Sequence, residues 1–347
     1  MSKTIYFGWD IGGANTKITI FNSSHKICDF YFKNINIWSS ISDFEDFVIK
    51  ISKKYTDSDT YHFITLTAEG CDNFENRSHG VKSIINLCDM HLSGEKKYYS
   101  NKNKYISFED ALKNPIELYS TNWMLTLNYL NNQKKINLII DIGSTTTDFV
   151  YRDMSISENI NDFMRLSNKT LLYQGVIRTP VPMFADNIKF SEIEIPIINE
   201  VYATSGDVFC ILKDIKFENN SYTGSDNLPY TEKNSFNRIS RLIGKDFNQK
   251  DKDLILSCAK DLKIKFEKYI IQYIRNIEKL VTNDLVITSI GEGRNLIQEI
   301  CQNNEIKFTP ISKIDKSITY NKGQKYDIYS HFTSALVALN YFGNINE

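Results

Sequence analysis

Gly8-Trp9-Asp10-Ile11-Gly12-Gly13-Ala14-Asn15-Thr16-Lys17 is the stretch on which the reading of this chain turns. Residues 5–11 are mostly apolar or aromatic and deliver an aspartate near their end, residues 12–15 are turn-forming, and residues 16–22 alternate as a returning strand does. Glycine puts no side chain in the way of a ligand, and successive N–H groups in such a turn form a nest for an anion. The pattern returns as Asp141-Ile142-Gly143-Ser144-Thr145-Thr146-Thr147-Asp148, an internal repeat that marks the start of each half.

Outward from the first hairpin, a third strand is expected over 26–32. A helix follows over 40–54, with Ile41, Phe44, Phe47, Val48 and Ile51 on one face, and then a short strand over 62–67. Three strands, a helix and a strand make the half-unit of the actin-like fold. Helices over 80–90 and 115–130 complete the first half. The second half reads as strands at 136–142 and 149–153, a strand-like run at 170–178, an apolar segment at 193–198 and a helix over 200–212. A polar loop at 219–227, a long helix over 254–280, a strand at 285–290 and helices over 295–301 and 328–341 follow. The fold class expected is therefore α/β, actin-like (ASKHA, ribonuclease H-like), with a ligand cleft between two lobes. The lobes are expected over 1–135 and 136–327, with a C-terminal helix in 328–347 packing back on the first.

A length of 347 residues fits two lobes with separate cores. With 41 basic and 42 acidic residues the net charge is −1, so no global field attracts nucleic acid or an anionic membrane. Six irregularly spaced cysteines suggest reduced thiols, with neither a disulfide framework nor a zinc set. A strand close to Met1 and the lack of a long apolar run predict a cytoplasmic protein, and a homo-oligomer remains compatible with all of this.

Facing hairpins would clamp a phosphorylated ligand through Gly12, Gly13, Asn15, Lys17, Gly143, Ser144, Thr145 and Thr146. Asp10 and Asp141 would hold hydrated Mg2+ against phosphate oxygens. One such hairpin alone would read equally well as a plain turn; the pair favours the clamp. After the strand at 62–67, Glu69 and Asp72 are candidates for a general base, although Asp72 could instead cap a helix. Arg77 and His79 could meet a diphosphate or form surface salt bridges. Arg178, before a Pro-stiffened turn, suits bidentate phosphate recognition or a structural ion pair. Asp207 opens a helix and either faces the cleft or caps. Gly291-Glu292-Gly293 would admit a nucleotide base or serve only as a strand-to-helix turn, and no GxxxxGK[ST] loop is present.

The two hairpin stretches resemble one known family. So do Thr67-Ala68-Glu69 with Asp72-Asn73-Phe74, Asn122-Trp123-Met124, Gly175-Val176 with Arg178-Thr179-Pro180, Ala203-Thr204 with Asp207-Val208, and Arg238-Ile239-Ser240-Arg241-Leu242. That family is the actin-like, hydantoinase/oxoprolinase-related one linked to tetrahydromethanopterin and methanofuran one-carbon metabolism. The resemblance implies a transferase that joins an aminomethylfuran-methyl diphosphate to the phenol oxygen of γ-glutamyltyramine and releases diphosphate. It implies catalytic roles among Glu69, Asp72 and Asp141, and substrate contacts at Asn122, Trp123 and Asp207. Glu69-Gly70-Cys71, the segment 153–170 and the C-terminal quarter depart from the family pattern, which bears on the acceptor pocket. The competing readings are an ATP-dependent small-molecule kinase and a nonenzymatic binding module; whether a nucleotide binds stays open. ATP-assisted lactam hydrolysis fits less well, because such chains are typically much longer.

Overall fold

A computed structural model of the chain describes residues 3–152, 154, 161–217, 222–281, 284–323 and 326–345. Asp153, residues 219–221 of the expected polar loop and residues 346–347 of the expected C-terminal helix lie outside them. The first strands and helices are β1 (Lys3–Ile11), β2 (Asn15–Asn22), β3 (Ile27–Asn34), α1 (Ser42–Lys54), β4 (Ser58–Leu66), α2 (Arg77–His91), β5 (Glu95–Tyr99), β6 (Tyr105–Ile106), α3 (Phe108–Lys113) and α4 (Asn122–Asn131). Then come β7 (Leu138–Ile142), β8 (Thr147–Tyr151), α5 (Asp162–Ser167), β9 (Leu171–Leu172), β10 (Asn187–Phe190), β11 (Ile193–Pro196), α6 (Ser205–Leu212) and α7 (Glu232–Arg241). The chain ends with α8 (Lys252–Glu278), β12 (Val286–Ile290), α9 (Arg294–Asn303), β13 (Lys307–Phe308), α10 (Ile311–Ile314) and α11 (Phe332–Ile345).

Two compact units result. One comprises Met1–Lys134, Arg152–Met164 and Ile311–Glu347; the other comprises Lys135–Tyr151 and Arg165–Pro310. In the first, the sheet order is β3-β2-β1-β4-β5-β6. Strands β1 to β3 form an antiparallel meander, and β4 and β5 continue in parallel from β1. The second unit repeats that plan as β13-β12-β7-β8-β9, with the β7 to β9 meander antiparallel and β12 and β13 parallel to β7. A three-stranded meander followed by parallel strands, made twice, is the actin-like, ribonuclease H-like arrangement. The ribbon β10-β11 stands apart from both sheets.

The core of the first unit is built from the inward faces of β1, β2 and β4, with Phe7, Trp9, Ile18 and Ile64 fully buried against α1 and α2. The Trp9 indole N–H donates to His62 Nδ1 at 3.1 Å, which places the imidazole proton on Nε2, 3.0 Å from the Ser93 carbonyl. Burial holds that ring neutral, its pKa lowered to about 3. Helix α11 packs on β1 and α4, and a bond between Thr19 Oγ1 and Ser334 Oγ at 2.7 Å fastens it. In the second unit, α8 buries Ile255, Leu262, Phe266, Ile270 and Ile274.

Three differences from the sequence reading have local causes. Residues 311–327 group with the first unit, because Ile27 N–H donates to Thr319 O and Asn321 N–H to Ile27 O, both at 2.8 Å, while Tyr129 and Tyr329 hydroxyls hold Asp315. Residues 152–164 join it too, through Arg152 to the Asn131 carbonyl and the Arg77–Asp162 ion pair. The helix expected over 115–130 is interrupted: a single 3-10 turn at Pro115–Leu118 precedes a break, and α4 begins at Asn122.

Gly8 in β1 shows how closely α11 is applied, since a Cβ there would lie 2.0 Å from the Ser334 carbonyl oxygen. Gly8→Ala should lower stability by about 1–3 kcal/mol in urea unfolding, because strand and helix must separate. Gly343→Ala, in the same helix with nothing within 4 Å, should be neutral or stabilising. Equal effects of the two substitutions would contradict this packing.

Candidate active site

The two hairpins share one geometry. Asp10 pairs across the ladder with Lys17 and Ile11 with Thr16; Asp141 pairs with Asp148 and Ile142 with Thr147. The Gly12 N–H closes the first turn on Asn15 O at 3.0 Å, and the Gly143 N–H closes the second on Thr146 O at 2.9 Å. Each turn is then strapped by the segment following the third strand. Ile35 and Ile37 donate to Ala14 O and Gly13 O, while Val176 and Arg178 donate to Gly143 O and Ser144 O, all at 2.9–3.2 Å. In this arrangement the Gly12 and Gly143 N–H groups, expected at a phosphate, close the turns. The anion reading then falls to the other amides of the two turns.

The residues facing each aspartate differ. Lys17 Nζ donates to Asp10 Oδ2 at 3.2 Å, so the first hairpin balances its own charge, with Asp10 5% exposed. In the second, Asp148 turns to Arg165 at 2.7 Å, both side chains being buried. Asp141 is half-buried beside Gly291, where a Cβ would stand 2.6 Å from its Oδ1 and 2.3 Å from Ile142 O. Gly291 sits at φ +90°, and a Cβ on Gly293 would meet Val176 at 2.5 Å. Close packing against the second hairpin thus requires both glycines of the Gly291-Glu292-Gly293 turn.

Past β4, the Thr67 N–H donates to Ile11 O at 2.9 Å and ties the end of that strand to the first hairpin. The next turn presses on the hairpin itself, since a Cβ on Gly13 would lie 2.7 Å from Cys71 Sγ. Within this turn Glu69 is only 1% exposed. Ser120 Oγ donates to its Oε1 at 3.0 Å, and Oε2 has no hydrogen-bond partner. Burial pushes the Glu69 carboxyl up to about 7, against smaller opposing pulls that include Arg77 and the Ser120 hydroxyl. A carboxyl that titrates near neutrality and keeps one oxygen unbonded suits proton abstraction. Asp72, by contrast, is exposed.

Other expected site residues have structural employment. Arg77 forms an ion pair with Asp162, and His79 accepts at Nδ1 from the Glu75 N–H, its own N–H being capped by Asn76. Trp123 is 3% exposed and Asn122, half-buried, begins α4, so little of the indole remains for a substrate. Asp207 is fully buried: it takes the Thr204 N–H at 3.0 Å in a capping box and Arg238 Nε at 2.7 Å. The first N–H groups of α6, at Ser205 and Gly206, donate to Thr179 O and Ile177 O. Asp207 therefore anchors α6 and does not present a carboxylate to a ligand. Arg178, half-buried, is fixed by its main chain beside the Ser144 carbonyl. Ser120, at the break before α4, reaches Glu69, and Asp162 reaches Ser120; the sequence did not single out either, and no local motif signals them. No group of three or more His, Cys, Asp or Glu side chains that could hold a metal occurs among the described residues. Among these residues, too, no helix is long and apolar enough to cross a membrane.

The Glu69 environment fixes a sign for stability. Its folded-state pKa, about 7, lies above the ordinary glutamate value of 4.5, so above pH 7 the folded state carries a buried charge that the unfolded chain would solvate. Glu69→Gln should stabilise the protein by up to about 3 kcal/mol above pH 7, the gain fading as pH falls toward 4.5. Urea midpoints for the two proteins across that range check it; a gain independent of pH would contradict the assignment.

No family model matches the chain. A synthase from Methanocaldococcus jannaschii, named for (4-{4-[2-(γ-L-glutamylamino)ethyl]phenoxymethyl}furan-2-yl)methanamine, is 30% identical over 294 residues, 84% of this chain and 87% of its own. A Methanococcus vannielii protein of the same name is 31% identical over 190 residues, 52% of this chain and 84% of its own. Among solved structures, component A of the (R)-2-hydroxyglutaryl-CoA dehydratase of Acidaminococcus fermentans is 12% identical over 99% of this chain and 100% of its own, with a TM-score of 0.42. The fold assignment rests on strand order and not on that weak likeness. Identity at this level over most of both chains places the protein in the family of (4-{4-[2-(γ-L-glutamylamino)ethyl]phenoxymethyl}furan-2-yl)methanamine synthases, as an enzyme that transfers a group other than methyl.

Proposed function

We propose that the enzyme forms the aryl ether of a methanofuran precursor by joining an aminomethylfuran-methyl diphosphate to the phenol of γ-glutamyltyramine. The observation that carries this reading is Glu69, a buried carboxyl raised to about 7 with Oε2 unbonded, in a chain whose relatives are named for the ether product. The bond from the furfuryl carbon to the diphosphate oxygen breaks as the bond to the phenol oxygen forms. Glu69 takes the phenol proton, and diphosphate leaves with the electron pair of the broken bond. A furfuryl carbon is electron-rich and tolerates partial positive charge as the leaving group departs. Arg178 and the turn at 143–146 are assigned to the charge that develops on the diphosphate.

The half-buried Asp141 carboxylate suits a hydrated Mg2+ that borrows phosphate oxygens better than a cage of protein ligands does. Asp141 would hold it, and when bound it would neutralise charge on the diphosphate. Both substrates are small molecules, and the near-zero net charge fits a cytoplasmic enzyme that binds neither nucleic acid nor membrane.

Purified protein incubated with Mg2+, γ-glutamyltyramine and the furan diphosphate, without ATP, should yield ether and diphosphate in equal amounts by mass spectrometry. Glu69→Gln should lower kcat by about 10²–10⁴ while Asp72→Asn stays within a few-fold. Absence of product, together with ADP formation from ATP and small alcohols, would overturn the reading in favour of a kinase.

A further inference from the structure

Helical periodicity spans residues 115–130, yet the chain breaks between Leu118 and Asn122. At the break Ser120 adopts φ +47°, the left-handed region that disfavours residues with a Cβ. Three successive side chains are anchored there. Tyr119 OH lies 2.7 Å from Ser78 Oγ, and Thr121 Oγ1 lies 3.1 Å from both the Tyr99 carbonyl and Thr65 Oγ1. Between them, Ser120 Oγ stands 3.0 Å from Glu69 Oε1 and 3.4 Å from Asp162 Oδ2, and Asp162 is paired with Arg77.

A hydroxyl carries one proton and two acceptor sites. While Glu69 is ionised, Ser120 can donate to Oε1. Once Glu69 has taken a proton, the same hydroxyl can turn to Asp162, whose charge Arg77 balances. A residue held in a strained conformation at such a point is over-determined by its surroundings, as function-bearing strain is. Its contact also differentiates the two carboxyl oxygens, because Oε1 is engaged and Oε2 is not.

We infer that Ser120 is a positioning residue that fixes the Glu69 carboxyl through Oε1, so that Oε2 is the oxygen that receives the phenol proton. This rests on Glu69 being the base. Ser120→Gly removes the hydroxyl and also relieves the left-handed backbone, so the variant should fold at least as well as the parent. Its kcat should fall about tenfold with KM within about twofold. The acidic limb of kcat/KM against pH should rise by about one unit, because the lost bond favoured the ionised form. Ser120→Asn keeps a donor and tolerates the same φ, and should bring the limb back toward the parent.

An unshifted limb with unchanged kcat in Ser120→Gly, while Glu69→Gln abolishes activity, would overturn the positioning role and leave the base assignment standing. A parent-like pH profile in Glu69→Gln would overturn both.

Discussion

Everything near the candidate site hangs on one backbone hydrogen bond made twice, a glycine N–H given to the carbonyl three residues on. Gly12 to Asn15 and Gly143 to Thr146 set the lengths of the turns, and the turn lengths set the strand registers. Register decides which residue stands opposite each aspartate, because a slip of one would send the side chains to the other face. The straps at Ile35–Ile37 and Val176–Arg178 then bind the turn carbonyls, so the hairpins are held from both sides. One scaffold thus carries two charge arrangements: Lys17 compensates Asp10 in the first unit, whereas Arg165 pairs with Asp148 in the second.

Burial works against stability at Glu69 and in favour of chemistry. An ionised carboxylate without water is expensive, and a single hydroxyl does not replace its hydration. The same lack of solvation makes the group a stronger base than an exposed carboxylate, which is what the proposed deprotonation of a phenol requires. Asp207, equally buried and likewise pushed up by burial, to about 6, differs in that Arg238 and a capping N–H occupy its oxygens and make it an anchor for α6. Burial alone does not define a functional acid; what engages its oxygens separates these two carboxyls.

Much of this was legible in the chain. Period-two alternation and the two Asp-Ile-Gly turns give β1, β2, β7 and β8 and the repeated half-unit, since both signals are local. Glu69 was a candidate because a carboxylate follows a strand end. Its burial, which Asp72 lacks, is not legible there, because it depends on α2, where a Cβ on Gly80 would lie 2.3 Å from Glu69 O. Ser120 escaped for a similar reason: residues 115–130 are helical in pattern, and only tertiary anchors on Ser78, Tyr99 and Thr65 break them. The strand expected at 170–178 shrank to Leu171–Leu172 because the following residues bind the second hairpin and the start of α6 instead of a neighbouring strand.

The central claim is that Glu69 is a buried carboxyl poised near neutrality. Infrared difference spectroscopy on isotope-labelled glutamate, parent minus Glu69→Gln, reads it directly. The account predicts a protonated carboxyl band that titrates away near pH 7 and belongs to Glu69. A Glu69 carboxylate already ionised at about pH 5, as in an unperturbed glutamate, would contradict it.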